Sequence, residues 1–297
     1  MQLTSTIPIC SINGMSIYPE NPMINTKTFV KRPKLAQPWL YFLVTYLWSW
    51  SFFGLAYLMN LSAESGRAIG VILILLALAG PAIMGIVFVY SALNKAGQKE
   101  YWKSVLDYKR IPFKWYLVIA LLIPSISILA AMLSGYWDTY SFSHKLPSLY
   151  LTLLSVPLVP VLEELGWRGY VLDRLQEKYS ALVSSIILGA LWGPWHLPVF
   201  FLRGSIFGLM PFGSLMFWLY MFHEIVLTVV FTWIYNNTNR STLSAILLHI
   251  VLEFCANTGL IPWDRPEHVY NVALWTIFVV MISYLYGGKT LVRKGIK

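Results

Sequence analysis

The stretch SLYLTLLSVPLVPVLEELGWRG, residues 148–169, decides how this chain folds. From Ser148 to Leu162 it is an apolar run that reads as part of a membrane span. The run ends on two adjacent carboxylates, Glu163 and Glu164, with Arg168 one turn further on. A charged side chain near a bilayer centre costs about 2.5–3.5 kcal/mol on insertion scales, so ionisable residues inside spans mark functional sites by default. The competing reading places these residues at a helix end in the headgroup region. The rest of the chain decides between the two.

Composition supports the membrane setting. Of 297 residues, 57% are apolar and 12% are charged, against about 25% charged in a soluble domain. The apolar runs are uninterrupted and about twenty residues long, which fits helices and not the alternating ten-residue segments of a barrel. Two cysteines, Cys10 and Cys255, imply neither a disulfide framework nor a cysteine metal site. The first apolar run of span length starts near Pro38 with no basic n-region before it, so no cleavable signal peptide is expected.

Residues 1–34 are polar and read as a disordered cytoplasmic tail; residues 35–297 read as one transmembrane helical domain. Eight spans are expected, near 38–60, 68–93, 113–135, 146–165, 181–202, 213–235, 243–260 and 269–286. The basic, aromatic segment 94–112 between the second and third looks like an interfacial element. With the N-terminus in the cytoplasm, eighteen Lys and Arg residues fall on the inner side. Arg67, Lys145, Arg203 and Arg265 fall outside. The positive-inside rule therefore favours cytoplasmic termini in a multi-pass protein, with a bacterial plasma membrane as the expected setting. The net charge of +9 follows from this bias and points to anionic lipid; no nucleic-acid-binding module is visible.

Setting loops aside, the ionisable residues inside spans are Glu163, Glu164, Arg168, His196, His223, Glu224, His249 and Glu253. All fall in spans four to seven. Glu163 and His196 are 33 residues apart, on spans joined by a turn near Tyr179-Ser180. Two antiparallel helices bring them level if the fourth continues past Arg168 to about Glu177. Glu164 and Arg168, at i and i+4, share a face and pair, whereas Glu163 is rotated by about 100° and faces His196. A carboxylate in a low-dielectric cavity suits general-base work. His249 and Glu253 are again i and i+4. His249 is placed to bind a metal or donate to an oxyanion, and Glu253 to orient it or act as a ligand. Pro194 and Pro198 break the backbone around His196. His223 and Glu224, being adjacent, point to different faces and receive no role. His144 and His268 fall in outer loops and are expected to be solvated.

These motifs, Glu163-Glu164-Leu165-Gly166-Trp167-Arg168, Trp192-Gly193-Pro194-Trp195-His196 and His249-Ile250-Val251-Leu252-Glu253, resemble those of the CPBP family. That family comprises the intramembrane type II CAAX prenyl endopeptidases and related bacteriocin-processing and self-immunity proteins. The resemblance covers about residues 147–254. It implies an eight-helix membrane endopeptidase opening to the cytoplasm, in which Glu163 activates water with His196 and Arg168 holds Glu164. His249 and the residue at 253 would stabilise the oxyanion. Its substrate would be a peptide or protein at the membrane, such as a prenylated CAAX tail or a bacteriocin leader. No cofactor is certain from the resemblance; a zinc ion, if one is held, would take Glu163, His196 and His249. Without a His-Glu-x-x-His helix, a metal-free glutamate mechanism is the expectation.

The sequence departs from the family pattern at Glu253, where Asn or Asp is expected. An asparagine amide donates to an oxyanion, and an ionised glutamate repels it. A catalytically weak immunity or scaffold relative is therefore the first alternative. A proton-coupled transporter is the second, disfavoured because no inverted repeat is visible.

Overall fold

A computed structural model describes residues 29–59, 64–138, 156–202 and 205–293. The expected tail lies outside these up to residue 28, and so does His144. The described chain is helical. Its β contact among the described residues is an isolated bridge between Val30 and Leu93, which ties residues just before the first helix to the end of α3.

The helices follow in order: α1 (Pro38–Leu58), α2 (Glu64–Leu78), α3 (Gly80–Ala92), α4 (Lys95–Leu106) and α5 (Phe113–Leu133). Then come α6 (Leu158–Gly166), a π-helical turn (Trp167–Val171), α7 (Leu172–Gln176) and α8 (Ala181–Trp195). The last three are α9 (Leu215–Asn237), α10 (Thr242–Asn257) and α11 (His268–Tyr286). Five segments are long and apolar enough to cross a membrane: α1, α5, α8 with its 3-10 extension to Phe201, α9 and α11. A sixth is the pair α2–α3, bent by 45° where Gly80-Pro81 opens the second helix. The chain is an all-α polytopic membrane protein. Residues 146–155 of the expected fourth span lie outside the described ones, and the expected seventh is the 16-residue helix α10.

Local sequence explains the boundaries. Ser180, Ser214 and Ser241 each accept a backbone N–H at the start of α8, α9 and α10, satisfying one orphan donor apiece. The run α6, π turn and α7 is continuous to Gln176, as the level placement of Glu163 and His196 requires. The 3-10 segment Leu197–Phe201 replaces the α-helix directly after His196, between Pro194 and Pro198. The segment expected at the interface is the helix α4, capped by Asn94 at 2.9 Å from the Gly97 amide.

Glycines set how closely the site-bearing helices approach. A Cβ on Gly166 would stand 2.2 Å from the Pro81 carbonyl oxygen and 2.2 Å from the Tyr41 hydroxyl. One on Gly85 would stand 2.9 Å from both the Gly166 Cα and the Leu165 oxygen. Backbone therefore meets backbone where α3 crosses α6. Around this crossing the buried rings of Tyr41, Trp167 and Tyr170 pack at 5.5–5.7 Å between centroids. Where the helical register changes into the π turn, the Tyr101 hydroxyl donates to the Leu165 carbonyl at 3.1 Å.

Gly166→Ala forces a methyl into that crossing and should destabilise the protein by about 1–3 kcal/mol, the usual cost of overpacking. Thermal melting in detergent reads it, and an unchanged melting temperature would contradict the backbone contact.

Candidate active site

Four helical segments bring the expected residues together. α6 and the π turn carry Glu163, Glu164 and Arg168; α8 ends on His196; α10 carries His249 and Glu253. Arg168 and Glu164 are fully buried, and the guanidinium donates to Glu164 Oε1 at 2.7 Å. The i, i+4 spacing produces this pair as expected.

The same oxygen has a second partner. His249 Nδ1 lies 2.9 Å from Glu164 Oε1. A carboxylate only accepts, so Nδ1 carries the proton and Nε2 is turned the other way, 3.8 Å from Glu253 Oε1. The Arg168 guanidinium carbon sits 4.6 Å from the Trp192 ring centroid and 4.1 Å from that of Phe231. These aromatic faces attract the cation at a site that excludes water.

Trp192 organises the other pair. Its indole N–H donates to Glu163 Oε2 at 2.7 Å, and its carbonyl stands 3.0 Å from His196 Nδ1. A carbonyl only accepts, so the neutral ring has its proton on Nδ1 and its lone pair on Nε2. Glu163 and His196 are thus both bound to Trp192, one at its indole and one at its carbonyl. No hydrogen bond between them is seen among the described residues.

A cavity of about 110 Å³ opens onto these groups, with His196, Tyr220, Glu224, His249, Glu253 and Trp263 in its wall. Glu163 is not in this wall, but Trp192, which donates to it, is. Glu253 stands partly exposed there, and Asn257, one turn on, donates to its Oε2 at 3.0 Å. His196 and His249 each have Nδ1 bound, to a carbonyl and to a carboxylate, which leaves both Nε2 atoms open as they are in histidines that ligate a metal, while one Glu163 oxygen is taken by Trp192. Among the described residues no three His, Cys, Asp or Glu side chains converge to hold a metal.

Two residues differ from expectation. His268 is fully buried in the first turn of α11, its ring 4.8 Å from Trp263 and 5.0 Å from His223, and is not solvated. The sequence reading placed it in an outer loop, but the helix begins at His268 and the ring packs inward. Glu224, given no role from the sequence, lies in the wall of the cavity. Its signal was the position of a carboxylate deep in an apolar run, as costly as those at 163 and 164.

Removing one partner of the buried triad strands the others. Arg168→Ala or Glu164→Gln should each cost about 3–5 kcal/mol of stability. Chemical denaturation in detergent measures it, and a loss within error of zero would refute the pairing.

Comparisons with known proteins place this arrangement. The family model described as type II CAAX prenyl endopeptidase Rce1-like matches residues 145–255, the segment from the approach to α6 through the site residues of α10. A curated CAAX prenyl protease 2 from Methanococcus maripaludis is 31% identical over 228 residues, covering 72% of this chain and 82% of its own length.

Proposed function

The chain belongs to the type II CAAX prenyl endopeptidase family, and from that premise we propose that it is an intramembrane endopeptidase that hydrolyses a peptide bond near the cytoplasmic face, in a prenylated CAAX tail or another membrane-proximal peptide. One observation carries the reading. Two histidines from different helices, each with Nδ1 fixed by a hydrogen bond, stand in the wall of one cavity. Each ring is thereby oriented with Nε2 left for chemistry.

In this reading Glu163, held by Trp192, takes a proton from water with the help of the His196 Nε2 lone pair. The water oxygen then adds to the scissile carbonyl. His249, its Nδ1–H anchored on the Glu164–Arg168 pair, acts as an imidazolium whose Nε2–H donates to the oxyanion. Fixed donors of this kind lower a barrier because no reorganisation is needed as charge develops. An apolar groove of about 300 Å³ between α8 and α9, walled by Pro194, Leu197, Phe217 and Trp218, is separate from the cavity that holds His196. In this reading it receives an isoprenoid chain. Both termini are placed in the cytoplasm on the charge bias alone.

The test uses purified protein in detergent with a farnesylated CAAX-type peptide and its unprenylated twin. Glu163→Ala and His196→Ala should each lower turnover by about 10²–10⁴-fold, the usual worth of positioned acid–base groups, with melting temperature retained. Full turnover in either variant removes that residue from the mechanism. Parallel assays with a zinc chelator decide metal dependence directly.

Glu253 favours a second reading, a catalytically weak relative, because its carboxylate stands 3.8 Å from His249 Nε2, where an oxyanion would be repelled. Glu253→Asn should leave turnover unchanged or raise it. Complete loss in the steady-state assay would show that the carboxylate itself is required.

A further inference from the structure

A buried carboxyl oxygen without a hydrogen bond is costly and rare, and calls for an explanation. Glu224 presents one. It is 4% exposed on α9, and its Oε2 has no partner among the described residues. The side chain lies in the wall of the cavity it shares with His196 and His249.

The packing that puts it there is specific. A Cβ on Gly189 would stand 2.5 Å from the Ile225 Cα and 3.0 Å from the Glu224 carbonyl oxygen. A Cβ on Gly193, one turn on, would stand 3.5 Å from the Glu224 Cβ. Gly189 thus lets α9 approach α8 closely enough to seat Glu224 beside the site, whereas a Cβ on Gly193 would meet the Glu224 Cβ in ordinary contact. Thr228 Oγ1 donates to the Glu224 carbonyl at 2.7 Å, one turn along α9. Glu163 is held by Trp192, Glu164 through its Oε1 by Arg168 and His249, and Glu253 by Asn257. Glu164 also has an orphan oxygen, Oε2, but its side chain is not in the cavity wall; Glu224 combines an orphan oxygen with a place in that wall, beside the Tyr220 hydroxyl.

We infer that Glu224 is a further catalytic residue, the group that supplies a proton to the leaving amine. This rests on the endopeptidase reading above. Hydrolysis of an amide needs two proton movements. One proton leaves water for the Glu163 carboxylate as the water oxygen bonds the carbonyl carbon and the carbonyl π pair moves onto oxygen. When the carbonyl re-forms, the C–N bond breaks and its electron pair takes the proton of the Glu224 carboxyl, releasing a neutral amine. The proton held on Glu163 then passes by way of His196 to the Glu224 carboxylate, and both side chains return to their starting forms.

The experiment compares two amides of farnesyl-cysteine in the full-length protein: one with an aliphatic peptide as leaving group, the other with an anilide. An aniline leaves with less help from a proton than an alkyl amine does. Glu224→Gln should lower kcat for the peptide by about 10²–10⁴-fold and for the anilide far less. Equal losses on the two amides, or no loss on the peptide, overturn the assignment. If the glutamine variant does not keep its melting temperature, Glu224→Asp replaces it. The same selective loss is then expected at smaller size, and equal losses again overturn it. Wild-type protein that cuts neither amide overturns the endopeptidase reading, and this assignment falls with it.

Discussion

Glu164, Arg168 and His249 form a charged chain with essentially no exposed surface, and the rest of the molecule is arranged so that this chain can exist. Taking such groups out of water costs several kcal/mol per ion, and good geometry with full hydrogen bonding is needed to repay it. The partners come from far apart in sequence: α6 and the π turn supply the pair, α10 the imidazole, α8 and α9 the aromatic faces over the guanidinium. An apolar trio of similar volume would hold these helices together as well or better. The charges are therefore better explained by what they orient than by what they stabilise, and what they orient is the His249 ring.

Close helix crossings follow from that requirement. A guanidinium sandwiched between Trp192 and Phe231 leaves no room for slack between α6, α8 and α9. Gly85 and Gly166 bring α3 onto α6, and Gly189 brings α9 onto α8. Small residues at crossings are the usual means of tight packing in a membrane, where lipid is as apolar as leucine and burial supplies little drive. The π turn at Trp167–Val171 belongs to the same economy. It shifts the helical phase just after the two glutamates, as single π turns at functional sites commonly do.

Much of the fold was legible in sequence because its signals are local. Apolar run lengths placed α1, α5, α9, α10 and α11 to within a few residues, and i, i+4 spacing gave the Glu164–Arg168 pair. What escaped was tertiary. Spacing joined His249 to Glu253, on its own helix, whereas its close partner is Glu164, 85 positions away. Glu163 was aimed at His196, and nothing local showed that the Trp192 indole would stand between them. Glu224 was missed because α9 is apolar and buried around much of its circumference, so no polar stripe says which face looks into a cavity. His268 was misplaced because a charged turn beside it suggested water, while its ring packs on Trp263 and His223 inside.

Charge balance in the site ties these points together. Four carboxyl groups, Glu163, Glu164, Glu224 and Glu253, gather near one arginine and two histidines. Only Glu164 has a permanent cation at hydrogen-bonding distance. A poorly solvated cavity cannot carry the remaining negative charge unrelieved, so protons must be shared among the other carboxyls and the imidazoles. Shared protons are what amide hydrolysis consumes and returns, one taken from water and one given to the amine. The excess of acidic groups that looks wasteful from the standpoint of stability is, on this account, the proton inventory of the reaction. In the proposed mechanism Arg168 sets aside one carboxylate from that inventory to hold the His249 ring in place.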